Sequence, residues 1–110
     1  MMHHKIIDTL MPLGIEMTWG EYAGDSEHYI IFSIYDEDTT DHCDNADLSE
    51  VYYITINYWF KNPEYLKNKS KIKASMEEAG FSFDGCKDRF DKDMKGISFD
   101  FIYEKEKENL

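Results

Sequence analysis

The chain is poor in residues that staple or punctuate small folds. Among 110 residues it has two cysteines, Cys43 and Cys86, and two prolines, Pro12 and Pro63. Two cysteines fall far short of a disulfide scaffold, so any fold must be held by packing. The six glycines stand apart, and none belongs to a GxxxxGK[ST] or GxGxxG phosphate loop. Apolar runs are only a few residues long, too short for a helix that crosses a bilayer. The opening Met1-Met2-His3-His4-Lys5 lacks the apolar core of a signal peptide. Cations are also scarce: 12 Lys and Arg face 23 Asp and Glu, a formal charge of −11. Such a field repels duplex nucleic acid and anionic membranes. The expectation is a soluble, reduced, cytosolic domain with no membrane partner.

What is present is patterned apolar sequence. The 42% hydrophobic and 15% aromatic content is that of a globular chain, and 110 residues make one domain. Ile6, Ile7 and Leu10 fall at helical spacing between His3 and Met11, ahead of Pro12 and the turn at Leu13-Gly14. Ile15, Met17 and Trp19 alternate as a short strand, and residues 20–27 read as a loop. From His28 to Tyr35 both faces are largely apolar, which predicts an interior strand. Val51 to Phe60 is the longest strand signal, with Tyr52, Ile54, Ile56, Tyr58 and Phe60 on one face. Ten extended residues span roughly 33 Å, the full width of such a domain.

Asn62-Pro63 predicts a helix start, and Tyr65, Leu66, Ile72, Met76 and Ala79 form its apolar stripe up to Gly80. Two alternating runs follow: one from Phe81 towards Phe90, then Ile97, Phe99, Phe101 and Tyr103, with a turn at Asp91-Lys92-Asp93. The fold class expected is α+β: an antiparallel or mixed β-sheet of about four to five strands flanked by two helices. Residues 1–104 form the domain, and 105–110 form a charged tail that frays.

Between these elements lies an acidic stretch. Asp36, Glu37, Asp38, Asp41, Asp44, Asp47 and Glu50 have no Lys or Arg among them, so the segment is an exposed loop or a strand extension. His42-Cys43, with His3, His4, His28 and Cys86, holds the atom types of a zinc site but neither CxxC nor HxxxH spacing. The acids after Asp36 lack the glycine and closing glutamate of a calcium loop. Ser33, Ser49 and Ser98 sit in strand patterns without a nucleophile elbow. Lys67, Lys69, Lys71 and Lys73 are spread around a helix rather than gathered into a phosphate-binding field. No enzyme, metal or cofactor is expected.

Several segments together resemble a known family. They are Leu13-Gly14-Ile15-Glu16-Met17, Tyr29 to Tyr35 followed by Asp36-Glu37-Asp38, Tyr52 to Trp59, Ala79-Gly80-Phe81, and Asp93 to Phe101. In this order they look like the tail completion proteins of long-tailed phages and prophages, which join head to tail or terminate the tail. The acidic segment is shorter and more acidic than that pattern, and Gly85 to Arg89 matches no part of it.

The resemblance implies a sheet flanked by helices and a ring of subunits, commonly six, that caps the tail tube. It also implies docking to head connector proteins on one side and the tail tube protein on the other. The location implied is the virion tail, reached from the host cytoplasm during assembly, with no cofactor. DNA would pass through the ring without being bound, repelled by an acidic wall. The acids from Asp36 to Glu50 are the candidates for the lumen or a docking face. Trp19, Tyr22 and Trp59 are the candidates for anchors between subunits. The rival expectation is a monomeric acidic inhibitor that mimics DNA and occupies a nucleic-acid-binding enzyme.

Overall fold

Period-two alternation is realised as five strands: β1 Glu16–Trp19, β2 His28–Asp41, β3 Leu48–Phe60, β4 Ser82–Asp91 and β5 Met94–Glu106. The structure is a computed structural model, and it describes residues 1–41 and 48–106. His42, Cys43, Asp44, Asp47 and the end of the charged tail therefore lie outside the described residues. The strands form one mixed sheet in the order β1-β2-β3-β5-β4, with β1 parallel to β2 and every other pair antiparallel. Two helices, α1 Met2–Leu10 and α2 Asn68–Glu78, complete the α+β fold.

Register shows why one face is covered. Ile30, Tyr58 and Ile97 lie side by side across β2, β3 and β5, as do Phe32, Ile56 and Phe99 in the next row. Ile6 and Leu10 of α1 and Ile72 and Met76 of α2 close over these rows, and all of them are fully buried. Each such side chain contributes about 1.5–3 kcal/mol of transfer free energy, enough for short helices of poor intrinsic stability to persist. Among the described residues the opposite face carries no helix. There Thr55 Oγ1 donates to Asp100 Oδ1 at 3.1 Å, and Ser98 Oγ donates to Asn57 Oδ1 at 2.6 Å. Trp59 lies flat over Gly96, where an added Cβ would come within 2.6 Å of the indole.

The structure refines the sequence reading in three places. First, of the two expected forms of the acidic stretch, loop or strand extension, the strand extension is the one seen through Asp41 and again from Leu48, paired Asp36↔Tyr53 to Asp41↔Leu48. A register shift sits between Ile34 and Asp36, so Tyr35 is the extra residue of a bulge. Second, Asn62 does cap, its Oδ1 accepting from Glu64 N at 3.0 Å, but the turn that follows is a 3₁₀ turn, Pro63–Lys67. Three residues per turn instead of 3.6 rotate the side chains, and Leu66, expected on the buried stripe, is 50% exposed. Third, β5 stays paired to β3 through Glu106, three residues past the end of the apolar alternation.

Candidate assembly surface

The molecule is elongated, 53 × 24 × 23 Å, and β2, β3 and β5 outrun the flanking strands β1 and β4. β1 pairs only with Tyr29–Phe32, so one edge of β2 has no strand beside it from Ser33 onward among the described residues. The bulge breaks the alternation there, and Tyr35 stands 55% exposed, 6.0 Å from the Tyr53 ring. Asp36, Glu37 and Asp38 follow, all exposed. With Thr39, Glu50, Val51 and Tyr52, Glu37 and Asp38 line an open acidic groove of about 390 Å³. Glu50 Oε2 accepts from Tyr52 Oη at 2.6 Å. That bond, followed by burial and the charges of Glu50 and Glu37, pushes the Tyr52 hydroxyl up to about 12. Asp41 continues the hairpin in sequence, while Asp44 and Asp47 lie outside the described residues.

At the other end of β3 the chemistry reverses. Phe60, Pro63, Leu66, Phe90 and Ile97, with Lys95 on the rim, line a cleft of about 180 Å³. Phe90 is 74% exposed at its mouth. Segments 59–71 and 87–96 hold eight of the twelve cations of the chain against four carboxylates. Below the cleft a polar cluster fixes the start of α2. Tyr58 Oη accepts from Asn68 Nδ2 at 2.8 Å and shares a hydrogen with His28 Nδ1, also at 2.8 Å. Burial is the first cause that raises the Tyr58 hydroxyl. Tyr65 stacks on His28 with ring centres 4.1 Å apart.

The three expected anchors do not converge. Trp19 is 62% exposed on the edge strand β1, its ring 4.5 Å from that of His3. Tyr22 is occupied within its own chain: it stacks on Tyr29 at 3.8 Å and donates to Glu16, which raises its hydroxyl. Trp59 is on the helix-free face, half-buried over Gly96. Sequence reading missed Leu66 and Phe90, because their meeting depends on the 3₁₀ turn and on the β4–β5 pairing. The four lysines at 67–73 divide: Lys67, Lys69 and Lys71 are exposed, whereas Lys73 lies over the Phe83 ring and pairs with Glu77 at 3.5 Å. Among the described residues no three His, Cys, Asp or Glu side chains gather as a metal site. Cys86 is exposed on β4, and no described helix is long and apolar enough to cross a membrane.

No protein-family model matches the sequence, and no curated protein matches it. Among solved structures, a chain in the virion of a native gene transfer agent particle is similar, with a TM-score of 0.59 and 17% identity. The likeness covers 90% of this chain and 84% of that one. The fold is shared with a chain of a virion. At that identity the agreement is one of architecture, and it extends over nearly all of both chains.

Proposed function

We propose that this chain is a non-enzymatic structural protein of a phage-like virion, forming a ring at the head-proximal end of the tail tube. The observation that carries the reading is the virion-chain fold shared over 90% of the length. The shape supports it. A ring needs two different surfaces per subunit, and the hairpin and the cleft differ in chemistry and lie at opposite ends of the sheet. Sheet edges are available for neighbours as well, among them the distal part of β2 and the outer sides of β1 and β4. In this reading the acids from Asp36 onward face DNA in the channel or a partner in the tail. The ring would join the tube on one side to head connector proteins on the other, and repulsion keeps the passing polymer from adhering.

Electron microscopy of the purified protein tests the reading. Closed annular particles with a central opening are the expected result. Monomers that instead capture a nucleic-acid-binding enzyme through their acidic end would replace it with an inhibitor that mimics DNA.

A further inference from the structure

We propose that the cleft between Leu66 and Phe90 receives the acidic hairpin of a second copy of this chain. Tyr35 enters the cleft, and Asp36, Glu37 and Asp38 meet the cations around it. The inference rests on the assembly reading above and supplies that reading with a contact.

Three observations lead to it. Leu66 and Phe90 are 50% and 74% exposed and share one apolar cavity with Phe60, Pro63 and Ile97. Single exposed apolar side chains are ordinary, but two around one cavity form a concave patch that lacks a cover. Lys95 lines the same cavity, Lys67 adjoins Leu66 in sequence and Arg89 adjoins Phe90; Asp88 is the one carboxylate in the lining. The hairpin offers the complement: an exposed aromatic ring displaced by a bulge, beside three consecutive carboxylates with no cation from residue 36 to residue 60.

Distance rules out self-occupancy. Asp38 pairs with Val51, and Lys95 pairs with Phe60. The rise of β3 between those two positions is about 30 Å. Charge rules out the symmetric alternative. Hairpin against hairpin opposes carboxylates to carboxylates in a chain that already carries −11. The contact left is hairpin into cleft, a heterologous interface that closes into a ring when the rotation between subunits permits.

Two variants separate the halves of this contact. One, Asp36→Lys/Glu37→Lys/Asp38→Lys, has a damaged hairpin and an intact cleft; the other, Leu66→Asp/Phe90→Asp, has the reverse. All five side chains are at least half exposed or on the surface, so circular dichroism should match the parent. If either variant loses its fold, Tyr35→Ala and Phe90→Ala take their places. Native mass spectrometry gives the readout. The parent should assemble, each variant alone should remain monomeric, and the mixture should give one-to-one dimers and nothing larger. Variants that assemble like an assembling parent, or a mixture that stays monomeric, overturn the cleft contact and leave the ring reading standing. A parent that stays monomeric at high concentration overturns both.

Discussion

The two halves of β3 were built for different purposes. From Ile54 to Phe60 the strand is flanked on both sides, capped by two helices, and its alternate side chains are wholly or almost wholly buried. From Leu48 to Tyr53 it has β2 and β5 beside it, and the β2 partners are Asp36 through Asp41. One half finishes its packing within the chain. The other extends the hydrogen-bonded ladder, with Ser49 and Val51 still buried but with the exposed carboxylates Asp36, Glu37 and Asp38 on the strand beside it. A single strand can therefore be fully packed at one end and carry a strongly acidic neighbour at the other, because backbone pairing does not depend on which side chains flank it.

That contrast can be tested from its stable side first. Phe99 is fully buried at the centre of the sheet, and Phe99→Ala should cost about 3–5 kcal/mol in denaturant unfolding. A smaller loss is expected at the cluster that anchors α2. Tyr58→Phe deletes the oxygen shared by Asn68 and His28 and leaves two polar groups without it, at about 1–3 kcal/mol.

On the arm, the effect should appear only at high pH. The Tyr52 hydroxyl rises from 10.0 to about 12 in the fold, first because it donates to Glu50. A raised folded value means the stabilisation is complete below pH 10 and declines as pH climbs towards 12. Tyr52→Phe should flatten that decline in an alkaline melting series; an unchanged slope would show that the bond does not hold the hairpin. The smallest effect on stability belongs to Asp36→Lys/Glu37→Lys/Asp38→Lys, whose melting temperature should stay close to that of the parent. These side chains lie outside the packed rows, and substitutions at such positions are usually near neutral.

Much of the covered face was legible in sequence because burial imposes period two. Ile30 and Phe32, Ile54 to Phe60, and Ile97 to Phe101 announced their side of the sheet before any coordinates. The arm was legible as an acidic stretch that is either loop or strand extension, but the bulge that opens it was not. Tyr35 continues the alternation of Tyr29, Ile31 and Ser33, and an inserted bulge residue leaves no mark in composition. Leu66 was misplaced for a related reason: a 3₁₀ turn and an α-turn share the same cap and proline, and differ only in rotation per residue. The cleft draws on residues 60, 66, 90 and 97, which only the order β3-β5-β4 brings together. No local pattern encodes such a meeting.

The most direct test of the account is zero-length carbodiimide coupling of the assembled protein, read by peptide mass spectrometry. Links between Asp36, Glu37 or Asp38 and Lys67 or Lys95 are predicted; the three acids stand about 24–30 Å along β3 from Lys95, so links to it can form only between copies. Assemblies coupled solely through other surfaces, with the hairpin carboxylates unlinked to the lysines around the cleft, would contradict it.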